Sequence, residues 1–137
     1  GKAFGMDVVA WSQNLTPEKA AAEGVGYVGK DELLATSDFV SIHLALSDRT
    51  RGLIGAADLA RMKKTAILVN TSRGPIVDEA ALITALENRT ILHAGLDVYD
   101  KEPMSADHPF TKLDNVTLIP HLGYVVEESY RHFYEGT

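Results

Sequence analysis

Short apolar, β-branched runs alternate along this chain with longer segments in which apolar residues recur at helical spacing. That alternation predicts repeated strand–helix units and a parallel sheet. A strand over Asp7–Trp11 is followed by a helix with Thr16 as N-cap and Pro17 in its first turn, running to Glu23 and stopping at Gly24. A brief strand at Gly26–Val28, a short helix at Asp31–Ala35, a strand at Asp38–Leu44 and a helix at Ala56–Met62 come next. The pattern repeats with a strand at Ala66–Asn70, a turn at Thr71–Pro75 and a helix from Asp78 to Asn88 that sets Ala81, Leu82, Ala85 and Leu86 on one face. Strands at Leu92–Val98 and Asn115–Pro120 and a helix at Val125–Tyr134 finish the chain. The strand runs are apolar throughout, which predicts cover on both faces. Asp100 to Asp114 reads as a polar, helix-free connection, and long connections of that kind are more often functional than accidental.

Composition narrows the class without changing this picture. At 137 residues, 45% hydrophobic and 23% charged, the chain has the size and balance of one globular domain. Its net charge of -6 and the single short basic cluster, Arg61, Lys63 and Lys64, argue against a nucleic-acid partner. No apolar run approaches the roughly 18 residues of a membrane span, and Asp7 interrupts anything resembling a secretory leader. Without cysteine there is no disulfide framework or thiolate nucleophile, and the histidines show no metal-ligand spacing. The expectation is a cytoplasmic protein.

In an open parallel sheet, ligands bind outside the carboxyl ends of the strands. The residues there are Ser12 and Gln13, His43 and Leu44, Thr71–Gly74, Asp97 with Glu102 beyond it, and His121–Gly123. Arg73 offers a planar fork for a substrate carboxylate, His121 an imidazole for proton exchange, and Glu102 a carboxylate to hold its other nitrogen. Each also has an ordinary reading, as a solvated turn arginine, a hydrogen-bonded loop histidine and a solvated loop acid. Asp97, in Gly95-Leu96-Asp97-Val98, must be paired or at the sheet rim. His43 reads as structural, His93 as a satisfied core histidine, His108 and His132 as loop and helix-surface residues, and Trp11, Phe133 and Tyr134 as packing.

Taken together, Asn70-Thr71-Ser72-Arg73-Gly74-Pro75-Ile76-Val77-Asp78, then Gly95-Leu96-Asp97-Val98-Tyr99 with Glu102-Pro103, then Pro120-His121-Leu122-Gly123, resemble the D-isomer-specific 2-hydroxyacid dehydrogenase family in type, order and separation. Asp38–Leu44 and Thr50–Ile54 extend the resemblance across essentially the whole chain. The resemblance implies a Rossmann-type, doubly wound parallel sheet and hydride transfer between a nicotinamide cofactor and a small 2-hydroxy or 2-oxo acid. It implies that Arg73 binds the substrate carboxylate, that His121 exchanges the hydroxyl proton and that Glu102 orients it. It further implies cofactor contacts from Ser12, Gln13, His43, Leu44, Thr71, Ser72, Arg73, Asp97, His121 and Gly123, and a homodimer for the full-length protein. In related formate dehydrogenases a glutamine stands where Glu102 is, which disfavours that reaction.

Two departures stand out. Relatives that prefer NAD usually carry an aspartate at the position of Ser12; with neither that acid nor a nearby arginine, the expectation leans to NAD over NADP. The one G-x-G-x-x-G run, Gly24–Gly29, overlaps the brief strand between two helices rather than the turn after a first strand, so the chain reads as residues 1–137 of a partial cofactor domain, lacking its first strand, its pyrophosphate loop and a substrate domain. Such a piece should expose an apolar gap in its sheet and turn nothing over by itself. Two other functions stay in view: a cofactor-sensing module like the C-terminal-binding-protein corepressors, which share the Arg, Glu and His set, and a catalytically silent Rossmann domain.

Overall fold

The computed structural model describes residues 1–136. In chain order the elements are β1 (Val9–Ala10), α1 (Pro17–Ala22), β2 (Gly26–Tyr27), α2 (Lys30–Thr36), β3 (Phe39–Ile42), α3 (Ala56–Arg61), β4 (Ile67–Asn70), α4 (Glu79–Glu87), β5 (His93–Leu96), β6 (Val116–Leu118) and α5 (Glu127–Glu135). The strands are shorter than their apolar runs by a residue or two at one or both ends.

Local chemistry explains where the helices begin. Thr16 accepts the Lys19 N–H at 3.3 Å with Pro17 in the first turn of α1, and Asp78 Oδ1 accepts the Ala81 N–H at 3.0 Å at the start of α4. At α3 the backbone N–H of Gly55 is taken by Asp58 Oδ2 at 3.1 Å, and Lys30 closes on the same carboxylate at 2.8 Å. Burial tends to raise the Asp58 pKa, but the hydrogen bonds from Lys30 and Gly55 outweigh it and hold the group below its ordinary value.

The strands form two parallel sheets, β1-β2 and β3-β4-β5-β6, the second with consecutive strands side by side. Along β3, β4 and β5 alternate residues are buried: Val40 and Ile42, Leu68 and Asn70, Ala94 and Leu96. These pack with Leu34 of α2, Leu59 of α3 and Leu82, Ala85 and Leu86 of α4 into one core. The expectation of cover on both faces is corrected here. Phe39 is 54% exposed and Ile67, Val69 and His93 on the same face are half-buried, because the helices that bury residues in this core, α2, α3 and α4, all meet the opposite face. His93 is accordingly a half-buried surface residue bonded to Thr117 Oγ1 at 2.9 Å, and no core histidine.

An apolar cleft of about 1050 Å³ runs between residues 6–12 on one side and Ser37–Leu44 on the other. Trp11 stands half-buried in its wall. Two further expectations change. The connection before β6 carries a 3-10 turn at Pro109–Lys112 that buries Phe110. The aromatic residues of α5 are exposed rather than core, with Tyr130 stacked on Tyr134 at 6.1 Å between ring centroids. Among the described residues, no helix is long and apolar enough to cross a membrane.

Candidate active site

The carboxyl ends of β4, β5 and β6 present the residues that carry chemistry, and each is held by a specific backbone device. After β4, Asn70 is 1% exposed. Its Oδ1 accepts the Ser72 N–H at 3.1 Å and its Nδ2 donates to the Arg73 carbonyl at 3.0 Å, folding Thr71–Arg73 into a turn around one buried amide. Ser72 Oγ donates to the Leu44 carbonyl, tying this turn to the end of β3. Arg73 Nη1 donates to the Ser72 carbonyl at 2.6 Å, and the side chain is exposed. A cleft of about 520 Å³ lies among His43–Leu46 and Thr71–Arg73. The signal of Asn70 in the sequence is an asparagine that ends an apolar run directly before a Thr-Ser-Arg-Gly-Pro turn.

Gly74 follows because nothing larger fits. A β-carbon there would lie 2.1 Å from the Tyr99 carbonyl carbon and 2.2 Å from its oxygen. The first turn after β4 is thus pressed against the peptide that leads to Glu102.

After β5, Asp97 is 3% exposed and its carboxylate is spoken for: Oδ1 accepts the Leu122 N–H at 2.7 Å and Oδ2 the Gly123 N–H at 2.8 Å. Those two bonds straddle the residue after His121, whose own backbone sits in the left-handed region at φ 54. A non-glycine residue there carries strain, which the surrounding bonds must outweigh. A β-carbon on Gly123 would come within 2.9 Å of Asp97 Oδ2, so the glycine keeps that oxygen accessible to the N–H. Tyr99, buried at the end of the same segment, donates its hydroxyl to the Ile119 carbonyl at 2.8 Å, with the Leu96 carbonyl at 3.2 Å. Burial pushes the Tyr99 pKa up, so the hydroxyl keeps the proton that ties β5 to β6.

These supports converge on one pair. His121 Nδ1 lies 2.6 Å from Glu102 Oε2, and Glu102 Oε1 accepts the Tyr99 N–H at 2.9 Å. Burial acts to raise the Glu102 pKa. The hydrogen bonds from His121 and Tyr99 and the charges of His121 and Arg73 prevail and hold it below the ordinary carboxylate value. An ionised carboxylate fixed on Nδ1 leaves Nε2 as the nitrogen available for proton exchange.

The other expected residues sit further out. Ser12, His43 and Leu44 line the large cleft, and His43 Nε2 bonds Ser41 Oγ at 2.8 Å. Gln13 is exposed just after β1 and lines neither cleft. Polar groups at the ends of β3 and β4 thus line the two clefts.

Known proteins resemble this chain over most of its length. Residues 1–123 match the family model described as D-isomer specific 2-hydroxyacid dehydrogenase, NAD binding domain. A glyoxylate reductase of Aeropyrum pernix is 47% identical over 129 residues, covering 94% of this chain and 38% of the relative. Among solved structures, a glyoxylate reductase from Paecilomyes thermophila superposes with a TM-score of 0.86 at 40% identity, covering 98% of this chain and 40% of the other. A D-isomer specific 2-hydroxyacid dehydrogenase from Lactobacillus delbrueckii ssp. bulgaricus in its NAD complexed form gives 0.85 at 31% identity, covering 98% and 44%. The chain spans about two fifths of the length of the curated relatives it matches.

Proposed function

Because the chain belongs to the D-isomer specific 2-hydroxyacid dehydrogenase family and matches its NAD binding domain, we propose that it supplies the cofactor and proton-exchange half of an oxidoreductase. The reaction interconverts a small D-2-hydroxy acid and its 2-oxo acid, with glyoxylate-like acids as the first substrates to try. The observation that carries this reading is the Glu102–His121 pair at 2.6 Å beside the charge of Arg73.

Each residue has a defined task. In reduction, protonated His121 gives its Nε2 proton to the oxygen at C2 as negative charge develops there; in oxidation the neutral ring takes the hydroxyl proton back. Glu102 holds Nδ1, fixing the ring's orientation and offsetting the imidazolium charge. Arg73 pairs with the substrate carboxylate and orients the carbon that reacts. Asp97 acts through the backbone, clamping the Leu122 and Gly123 N–H groups so that His121 keeps its place. Thr71, Ser72 and the His121–Gly123 turn would hold the nicotinamide end of a bound cofactor, Leu44 and His43 would contact it further along, and Ser12 with Gln13 would meet its adenosine ribose. When bound, the nicotinamide supplies the hydride acceptor or donor. A serine without an adjacent arginine favours NAD over NADP at that ribose.

This activity is that of a protein of the relatives' length, for which the family resemblance also supports a homodimer and a cytoplasmic setting; the 137-residue chain alone should turn over nothing. The test is oxidation of NADH and of NADPH by the whole enzyme with a panel of 2-oxo acids and the matching aldehydes that lack the carboxylate. The proposal expects turnover with the acids only, faster with NADH, and an Arg73→Ala variant that loses the preference for acids. Equal rates on acids and aldehydes would remove the anchor role of Arg73, and binding of NADH without turnover of any acid would favour the corepressor-like module.

A further inference from the structure

Glu102 projects from an irregular connection, and its reach to His121 depends on what holds that connection in place. Two of its supports are already described, the Tyr99 N–H and the closely packed Gly74. A third lies outside the site, at the first residue of α4. Glu79 Oε2 accepts the Asp100 N–H at 3.3 Å, while Glu79 Oε1 lies 3.1 Å from His108 Nε2. One carboxylate thus bridges the two ends of the segment from Asp100 to His108, and Glu102 sits between them.

The histidine is set up for this role. Its Nδ1 accepts the Phe110 N–H at 3.3 Å, so a neutral ring carries its proton on Nε2 and donates it to Glu79. Its ring packs on Phe110 at 4.9 Å between centroids, and Phe110 is part of the core. The Glu79 and His108 side chains are only 23% and 18% exposed, unlike a solvated first-turn acid and a surface-loop histidine. Glu79 itself stands on a helix capped by Asp78, so the bridge joins the loop to rigid structure at both ends. Burial and the neighbouring Glu79 charge raise the Asp100 pKa, the cost of bringing its backbone to a carboxylate. Closing a flexible segment at its ends removes conformations in which its middle residue strays.

We infer that Glu79 and His108 are positioning residues for Glu102, acting as a clamp that closes the Asp100–His108 loop and so sets the Glu102–His121 hydrogen bond. The functional weight of the clamp rests on the reading that this pair exchanges the substrate proton.

The test uses NMR on the 137-residue chain with isotope-labelled histidine, alongside kinetics of the whole enzyme. Glu79→Ala and His108→Ala, neither of which touches His121, should shift the His121 ring resonances toward those of Glu102→Gln. They should also speed exchange of the Tyr99 and Asp100 amides roughly tenfold, the scale of one lost hydrogen bond. His108→Gln, which returns an amide N–H near the place of Nε2, should restore most of the wild-type His121 signal. Asp114→Ala, which breaks only the exposed pair with Arg89 at the far end of the connection, should leave it unchanged. In the whole enzyme the clamp variants should lower kcat with little change in KM for the acid. Wild-type His121 resonances in both alanine variants would overturn the inference; if Glu79→Ala does not fold, His108→Ala, which leaves α4 intact, decides it. A shifted His121 in enzyme whose Glu102→Gln variant keeps full kcat would uphold the clamp and refute the proton-exchange reading instead.

Discussion

Replacing Asp97 by asparagine isolates the device that holds His121. The change is nearly isosteric, leaves the strand intact and turns one carboxylate oxygen into an NH2 group. Oδ1 and Oδ2 each accept a backbone N–H, from Leu122 at 2.7 Å and Gly123 at 2.8 Å. Asparagine can satisfy one of these and must point its own N–H at the other. A hydrogen bond to a charged acceptor contributes about 1.5–3 kcal/mol, and at 3% exposure the orphaned donor finds no water in its place. Those bonds also offset the left-handed backbone of His121 at φ 54, a conformation costing on the order of 1 kcal/mol or more. The expected loss is about 2–3 kcal/mol, which for a domain of this size lowers Tm by about 5–15 °C. Urea denaturation should show a lower midpoint with an unchanged slope, and the His121 ring resonances should broaden as its turn loosens. A stability change under about 0.5 kcal/mol with an unperturbed His121 spectrum would refute the reasoning, because it would mean that the two bonds do not hold the turn.

Other expectations follow from the same contacts. Gly74→Ala drives a β-carbon into the Tyr99 carbonyl at 2.1 Å, so it should destabilise the domain by about 1–3 kcal/mol and displace Glu102, seen as shifted His121 ring resonances. Asn70→Ala removes the amide that folds Thr71–Arg73 and leaves the Ser72 N–H without its acceptor. It should cost about 1–3 kcal/mol in urea melts and, in the whole enzyme, raise KM for the acid. Asp58 is held below its ordinary value of 3.8, so its contribution is present above that pH and is lost as pH falls through the lower folded value. Asp58→Asn should therefore destabilise by about 1–2 kcal/mol at pH 7 and by much less near pH 2, measured as the gap between the two proteins' midpoints.

Much of the architecture is legible in the sequence because local chemistry decides it. Thr16-Pro17 and Asp78 mark helix starts unambiguously, and the rise and fall of β-branched runs places all six strands to within a residue or two. What periodicity cannot show is which element covers which face. Ile67, Val69 and Phe39 are as apolar as Leu68 and Val40, yet only the latter pair belongs to the buried core. The site divides the same way. Arg73, Glu102, His121 and Asp97 stand out as charged residues beside glycines and prolines at strand ends, and Glu102 and His121 are in direct contact. Asn70, Tyr99 and Glu79 carry no such signal because their work is done through backbone groups, Asn70 on the Arg73 carbonyl, Tyr99 on that of Ile119 and Glu79 on the Asp100 N–H, while His108, expected as a loop residue, is bonded to Glu79. Side-chain chemistry announces itself by residue type; a contact with a peptide group 20 residues away does not.

The central claim, that His121 paired with Glu102 exchanges the substrate proton, is tested most directly by stopped-flow reduction of glyoxylate with NADH in the whole enzyme, comparing His121→Ala with the unaltered protein. A positioned general acid contributes roughly a hundred- to ten-thousandfold. The account predicts a loss of that size in the chemical step with NADH affinity changed little; a His121→Ala enzyme that reduces glyoxylate at the unaltered rate would contradict it.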